Sequence, residues 1–322
     1  MADRPVATRT VAQKRIFIFD SPRTRSQLFN KIFAVHPQLH QIFHPFYPAG
    51  SLGPERLICR FRQCDAADEV QKVLAATEGA EQETYHKCME SLIENVNQTE
   101  TGGEKVVWIK EHVVACLQPE MISGLISGET GSHDGSKHTN ISVMPDDFLD
   151  TLTPVFLIRH PALMIPSWYR AQRLTLQEEV SDESFRVFSS LKWARMMFEL
   201  VRFRSGRSPL VLNGEDLVAR PDMIVQEVCR TLDLDPKQVQ LQWKPVPKDE
   251  LDAADFMRRH FFGDLMTSDR IKTGQAKQTV DLDEEERSWS AEFGVEAATT
   301  LRRLVDENME HYDYLNQYVP KT

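Results

Sequence analysis

Within six residues, Ser21-Pro22-Arg23-Thr24-Arg25-Ser26 sets two guanidiniums among three hydroxyls. The segment follows the apolar run Phe17-Ile18-Phe19 and leads into the apolar face of a helix, with Phe29 on it. A strand that turns through such residues into a helix start forms an anion cradle. The first N–H groups of the helix have no intrahelical partner, and the helix dipole favours negative charge there. Guanidiniums add charge-assisted hydrogen bonds to phosphate- or sulfate-like oxygens. Thr24 or Ser26 as a plain helix cap accounts for the hydroxyls but not for Arg23 and Arg25. No glycine occurs between Met1 and Ala49, which excludes a Walker A loop here.

Two further groups carry chemistry. Arg159 stands eight residues before Ser167, with Pro161 between them. If a helix begins at Pro161, Ser167 lies about two turns in, on the side of its start. A guanidinium and a hydroxyl can then share one phosphate, although each alone is also an ordinary exposed side chain. Lys110-Glu111-His112 ends an apolar run, and a histidine there suits a general base. His36, His40 and His44 recur every four residues, but Pro37 and Pro45 interrupt any helix that would align them on a metal. Ser21, Ser26 and Ser167 lack a Gly-x-Ser-x-Gly elbow.

The elements that position these groups follow from short apolar runs. Strands are expected at Arg15–Phe19, Lys105–Lys110, Pro154–Ile158 and Pro209–Leu212. Helices are expected at Arg25–Val35, Ala66–Ala76, Glu81–Val96, Ser184–Phe203 and Pro221–Leu232, with a mostly helical tail over Glu284–Leu315. Gln41–Pro54 reads as a loop rich in aromatics, His and Pro, and Gly128–Asn140 as a mobile one. Strands without polar alternation, separated by helices, predict an α/β fold. Its central parallel sheet of about four to five strands is covered by helices on both faces. Ligands of such sheets bind beyond the carboxyl ends of the strands, and all four strand ends here are polar or charged.

Composition narrows the partners. Lys and Arg total 38 against 48 Asp and Glu, a formal net charge of −10. That opposes nucleic-acid binding, which relies on many cation–phosphate contacts. Residues 1–14 are polar and expected to be flexible, and no run approaches a membrane span of about 20 apolar residues. Five cysteines without close metal-ligand spacing suit free thiols in a reducing cytoplasm. The expectation is a cytoplasmic protein with one α/β domain over 15–322, a mobile loop at 128–140 and a helical part at 283–315.

Together these segments resemble the sulfotransferase family, which uses 3′-phosphoadenosine-5′-phosphosulfate (PAPS). That family carries a Pro-Lys-Ser-Gly-Thr-Thr loop after its first strand, where Pro22-Arg23-Thr24-Arg25-Ser26 stands here. The form is closest to the Pro-Arg-Thr-Arg-Ser loop of sulfotransferase-like proteins in fungi and plants. Arg159, Pro161 and Ser167 match the 3′-phosphate pattern, and Lys110-Glu111-His112 resembles the Lys-x-His segment of the base. Gly214-Glu215-Asp216-Leu217 stands where the family has Tyr-Glu-Asp-Leu, and Arg270-Ile271-Lys272-Thr273-Gly274 loosely echoes its late Arg-Lys-Gly segment. The resemblance runs from about residue 14 to 235. It departs at Arg23 for Lys, Arg25 for Gly, Gln27-Leu28 where a Trp commonly follows, and Gly214 for Tyr.

The resemblance implies a P-loop-NTPase-like sulfotransferase fold and transfer of a sulfuryl group from PAPS to a small-molecule hydroxyl, in secondary metabolism. The product nucleotide is 3′-phosphoadenosine-5′-phosphate (PAP), and no metal, nucleic acid or membrane is called for. Arg23, Thr24, Arg25 and Ser26 would hold the phosphosulfate, and Arg159, Ser167, Arg270 and Lys272 the rest of the nucleotide. His112 would be the base, with Arg23 and Lys110 also catalytic. His44, Phe46, Tyr47, Trp168 and Tyr169 are candidates for the acceptor pocket, or for ordinary packing. Two other readings remain open at this point. The same fold can serve elimination, dehydration or cyclisation of a biosynthetic intermediate, with or without PAPS, or it can bind a nucleotide without catalysis.

Overall fold

Five strands form one parallel sheet: β1 (Arg15–Asp20), β2 (Leu39–Phe43), β3 (Val106–His112), β4 (Leu152–Ile158) and β5 (Leu210–Asn213). Their order is β2-β3-β1-β4-β5, so β1 is central. The structure, a computed structural model, describes residues 14–57, 76, 78–103, 105–127, 139–253, 256–277 and 279–321.

Side chains alternate along β1, β3, β4 and β5, and both sets reach a core. Phe17, Phe19, Val107, Ile109, Phe156 and Ile158 enter one core. Ile16, Ile18, Trp108, Val155, Leu157 and Leu212 enter the other. This is why the strands read as unbroken apolar runs. The second core is closed by α1 (Ser26–Phe33), α7 (Gly214–Ala219) and α8 (Pro221–Leu232). The first is closed by α2 (Tyr85–Thr101), α4 (Pro161–Thr175), α6 (Lys192–Ser205) and α11 (Val295–Asn316). Further helices are α3 (Pro119–Ser127), α5 (Glu183–Phe188), α9 (Phe256–Thr267) and α10 (Leu282–Phe293). The α/β architecture with a parallel sheet covered on both faces is therefore as expected. Among the described residues, no helix is long and apolar enough to cross a membrane.

Helix α1 is locked to the sheet by aromatic packing. Trp108 stacks on Phe29 and Phe33 at centroid distances of 5.6 and 5.1 Å, and its indole N–H donates to Asn30 Oδ1 at 3.0 Å. The loop between β1 and α1 is thus held between two rigid elements.

Two expectations are corrected. Gln41–Pro54 is not all loop: β2 runs through Phe43, and Pro48–Leu52 forms one wide helical turn. Residues 184–203 do not form one helix. The chain breaks between α5 and α6, where Ser189 Oγ donates to Phe185 O at 2.7 Å and Leu191 N–H donates to Asn308 Oδ1 at 2.6 Å. The C-terminal tail is mostly helical and consists of two helices, divided at Gly294, whose φ of 93° suits glycine. Residues 66–75 of the helix expected at Ala66–Ala76, and residues 128–138 of the loop expected at Gly128–Asn140, lie outside the described residues.

Candidate active site

The ends of β1, β2, β3 and β4 converge on one cavity of about 900 Å³. Its wall includes Arg23, Arg25, Ser26, His112, Arg159 and Ser167, and so brings together most of the residues singled out from sequence.

Between β1 and α1 the chain reverses sharply. Arg23 and Arg25 both adopt left-handed backbone, with φ of 67° and 65°. For residues with a Cβ this conformation costs about 1–2 kcal/mol each, and left-handed residues in a turn are typical of backbone anion nests. Thr24 is fully buried, and its hydroxyl donates to Ser21 O at 2.9 Å, which braces the turn from inside. Arg25 precedes α1 without capping it through its side chain. Where the sulfotransferase loop it resembles has a glycine, Arg25 takes up the conformation that glycine allows.

The side chain of Arg25 is drawn to the first turn of α7, just after β5. Its Nε and a terminal nitrogen donate to the two oxygens of Glu215 at 2.9 and 3.2 Å. Arg159 Nε donates to the same carboxylate at 2.7 Å, and its other arm donates to Arg23 O at 3.1 Å. The Lys277 backbone N–H completes Glu215 at 2.9 Å and so ties the segment after Lys272 to the cradle. Gly214 makes this approach possible. A Cβ there would lie 2.4 Å from Thr24 O and 3.3 Å from Arg25 Cβ. The glycine missing from the loop has its counterpart in the chain that packs beneath it.

Arg23 Nε donates to Ser167 Oγ at 3.0 Å. Arg159 and Ser167 therefore both reach Arg23, one at its carbonyl and the other at its guanidinium. Burial lowers the pKa of Arg159 to about 10, with nearby Arg25 acting the same way against the pull of Glu215. Burial lowers that of Arg23 as well, opposed by Asp264 of α9. Three partly desolvated guanidiniums, with Glu215 between two of them and Asp264 near the third, leave an excess of positive charge, which is the condition for an anion site.

The second cluster lies where β1 meets β3. Register places Asp20 opposite His112 and Phe43 opposite Lys110. His112 Nδ1 lies 2.6 Å from Asp20 Oδ1, and Lys110 Nζ lies 3.1 Å from Asp20 Oδ2. Lys110 Nζ also lies 2.9 Å from His44 Nε2, and His44 Nδ1 lies 2.5 Å from Glu111 Oε1. Glu111 accepts further bonds from the His112 N–H at 2.7 Å and the Phe46 N–H at 2.8 Å. Burial alone would raise the Asp20 pKa, but the Lys110 and His112 charges and the His112 bond hold it far below the usual carboxylate range. Burial likewise opposes ionisation of Glu111, yet His44 above all keeps its pKa below the ordinary value. His44 itself is lowered to about 4, by burial and then by Lys110. A neutral His44 gives its Nδ1–H to Glu111 and accepts from Lys110, which matches the distances.

The other sequence candidates divide. Tyr47, His44 and Trp168 line the cavity, and Trp168 lies beside Phe188 and Phe261 with ring centroids 6.2 and 6.0 Å away. Arg270 and Lys272 line it from exposed positions, and Arg270 pairs with neighbouring Asp269 at 2.8 Å. Lys110 is fully buried behind His44 and Asp20. Phe46 is packed in the core. Tyr169 donates to Glu179 at 2.7 Å and packs on Phe185 and Phe293.

Sequence reasoning passed over Asp20, Glu111 and Glu215 as partners, although Asp20 closes the first strand in plain view. It also passed over α9, which brings His260, Phe261 and Asp264 to the wall. Trp243 was missed too. It lines the cavity with Leu28, Val218 and Ile271, and its turn-rich, Pro-containing surroundings give no signal of that.

No family model matches the chain. Two curated proteins named sulfotransferase ppzF are similar to it. The one from Metarhizium majus (strain ARSEF 297) is 28% identical, over 94% of this chain and 95% of its own. The one from Metarhizium rileyi (strain RCEF 4871) is 28% identical, over 94% of each. Among solved structures, the sulfotransferase domain from the Synechococcus PCC 7002 olefin synthase aligns with a TM-score of 0.44 and 14% identity, over 95% of this chain and 98% of its own. The sulfotransferase domain from the curacin biosynthetic pathway aligns with a TM-score of 0.41 and 15% identity, over 87% and 97%. The resemblance carried by the Pro22–Ser26 loop, the Lys110–His112 segment and the Arg159/Ser167 pair is thus matched by sequence similarity to sulfotransferases along nearly the whole chain.

Proposed function

We propose that this protein transfers a sulfuryl group from PAPS to a hydroxyl of a small molecule. The observation that carries the reading is the meeting, in one cavity, of a three-arginine anion cradle and a carboxylate-paired histidine. The cradle fits a nucleotide with two anionic ends, because its guanidiniums exceed the carboxylates that pair with them. PAPS, when bound, supplies a sulfuryl group on a good phosphate leaving group.

In this scheme the left-handed turn, Arg23 and Ser26 bind the phosphosulfate end, and Arg25 fixes the turn through Glu215. Arg159 and Ser167 bind the 3′-phosphate, with Arg270 and Lys272 at the exposed side. Trp243 and Leu28 offer the adenine an apolar wall in place of the family's tryptophan. His112 takes the acceptor proton at Nε2, since its Nδ1 faces Asp20. Trp168, Tyr47 and Phe188 exclude water around an apolar acceptor. Transfer of this kind needs positioning and charge stabilisation rather than a covalent intermediate.

Incubation with PAPS and a panel of phenols and alcohols, read by mass spectrometry, tests the reading. Gain of SO₃ on an acceptor, with release of PAP, is expected. His112→Ala should lower turnover by about 10² or more while PAP still raises the melting temperature. Loss of water from a substrate without sulfate would favour the elimination reading. PAP binding with no turnover on any acceptor, indifferent to His112→Ala, would favour a noncatalytic one.

A further inference from the structure

Two histidines stand side by side in the cavity wall, with ring centroids 4.6 Å apart. Each faces a buried carboxylate through Nδ1, and Lys110 touches both halves of the arrangement. The halves are not equivalent. His44 Nε2 is occupied by Lys110. The His112 ring makes its hydrogen bond among the described residues through Nδ1, is partly exposed, and lines the cavity. Only His112 can present an unprotonated nitrogen to an acceptor.

We infer that Asp20 is the positioning residue that makes His112 a base, and that Lys110 orients Asp20 rather than touching the transferred group. An ionised carboxylate has no proton to give. At 2.6 Å from Asp20 Oδ1, His112 Nδ1 must therefore carry the hydrogen, which leaves the Nε2 lone pair toward the cavity. Lys110 Nζ forms an ion pair with the other Asp20 oxygen at 3.1 Å, and among the described residues that oxygen accepts no hydrogen bond, so Lys110 biases the carboxylate by charge. Glu111 fixes the backbone of His112 through its N–H, and Cys116 Sγ donates to the His112 carbonyl at 3.6 Å. When the acceptor O–H bond breaks, its proton forms a bond with Nε2, and Asp20 stabilises the resulting imidazolium without becoming protonated. Phe43 lies over the Lys110 ammonium at 5.3 Å from the ring centroid, and Lys110 itself is fully buried. Its charge therefore acts on Asp20 and His44.

The inference rests on the proposed proton transfer to His112, so its test includes a readout independent of turnover. Nitrogen-15 NMR of labelled protein reports which ring nitrogen of His112 carries the proton. Nδ1–H is expected in the native chain at neutral pH. In Asp20→Asn the Lys110 ammonium attracts the amide oxygen and turns the amide NH₂ toward His112. Nδ1 becomes the acceptor, the proton moves to Nε2, and turnover falls by about 10² to 10⁴ with PAP affinity unchanged. Because that variant leaves Lys110 without its counter-charge, Asp20→Ala/Lys110→Met is measured beside it. It removes both charges, and His112 there should lose its fixed Nδ1–H form. An Nδ1–H ring that persists in either variant overturns the inference. A ring that switches as expected, in a protein that transfers no sulfuryl group to any acceptor, supports the inference and overturns the function proposed above.

Discussion

Arg159 is the residue whose surroundings say most about the ligand. It is half-buried and charged, and among the described residues its carboxylate partner, Glu215, is shared with Arg25. A guanidinium paired by a single dedicated carboxylate would be compensated, whereas this one is held ready at the cavity wall. Hydrogen bonds to a charged group contribute about 1.5–3 kcal/mol. Arg159→Ala is therefore expected to weaken PAP binding by about 10- to 100-fold in calorimetry, with a shallower dependence on salt. Unchanged affinity would remove Arg159 from the proposed nucleotide site. Arg159→Lys should recover only part of the loss, because an ammonium cannot span both Glu215 and the Arg23 carbonyl as the guanidinium does.

At the scale of elements, the site depends on how closely the loop after β1 and the turn after β5 approach. Gly214→Ala puts a methyl group against the carbonyl of Thr24, a backbone atom that cannot swing aside. Overpacking of this kind costs about 1–3 kcal/mol, and here it displaces the turn that carries Arg23 and Arg25. PAP affinity should fall at least ten-fold, with a lowered melting temperature. A normal affinity would show that the turn is not the phosphosulfate site. From sequence, Gly214 looked like a lost tyrosine, since the need for a bare backbone appears only once two distant segments are in contact. The same limit explains Asp20 and Glu215, whose partners lie 92 and 56 or more positions away. Strands β1, β3, β4 and β5 were legible because burial on both faces leaves near-continuous apolar runs. Strand β2 was not, since His40 and Gln41 are only half-buried on an edge strand and Pro37 lies just before it. The break between α5 and α6 was hidden because it depends on Asn308, more than a hundred residues on.

The whole molecule should show a stability optimum in pH bounded by different buried carboxyls on each side. Asp20 and Glu111 have native pKa values below their ordinary ones, so they stabilise the fold above the normal carboxylate range. That contribution is lost as pH falls below about 4 and both become protonated. Glu178 behaves in the opposite sense. Burial raises it from 4.5 to about 7, the Ser184 hydroxyl opposes that shift, and Asp182 adds to it. Its second oxygen has no hydrogen-bond partner among the described residues. The native state thus holds a proton that the unfolded chain releases near pH 4.5. The resulting stabilisation is complete below that pH and disappears as pH rises through about 7, a change on the order of 3 kcal/mol. Glu178→Gln keeps an acceptor for Ser184 and removes the titration. Its melting temperature should show no decline of this origin between pH 5 and 8, and should exceed that of the native chain by a few degrees at pH 8. Parallel melting curves for the two proteins across that range would mean that Glu178 is ionised in the native state throughout.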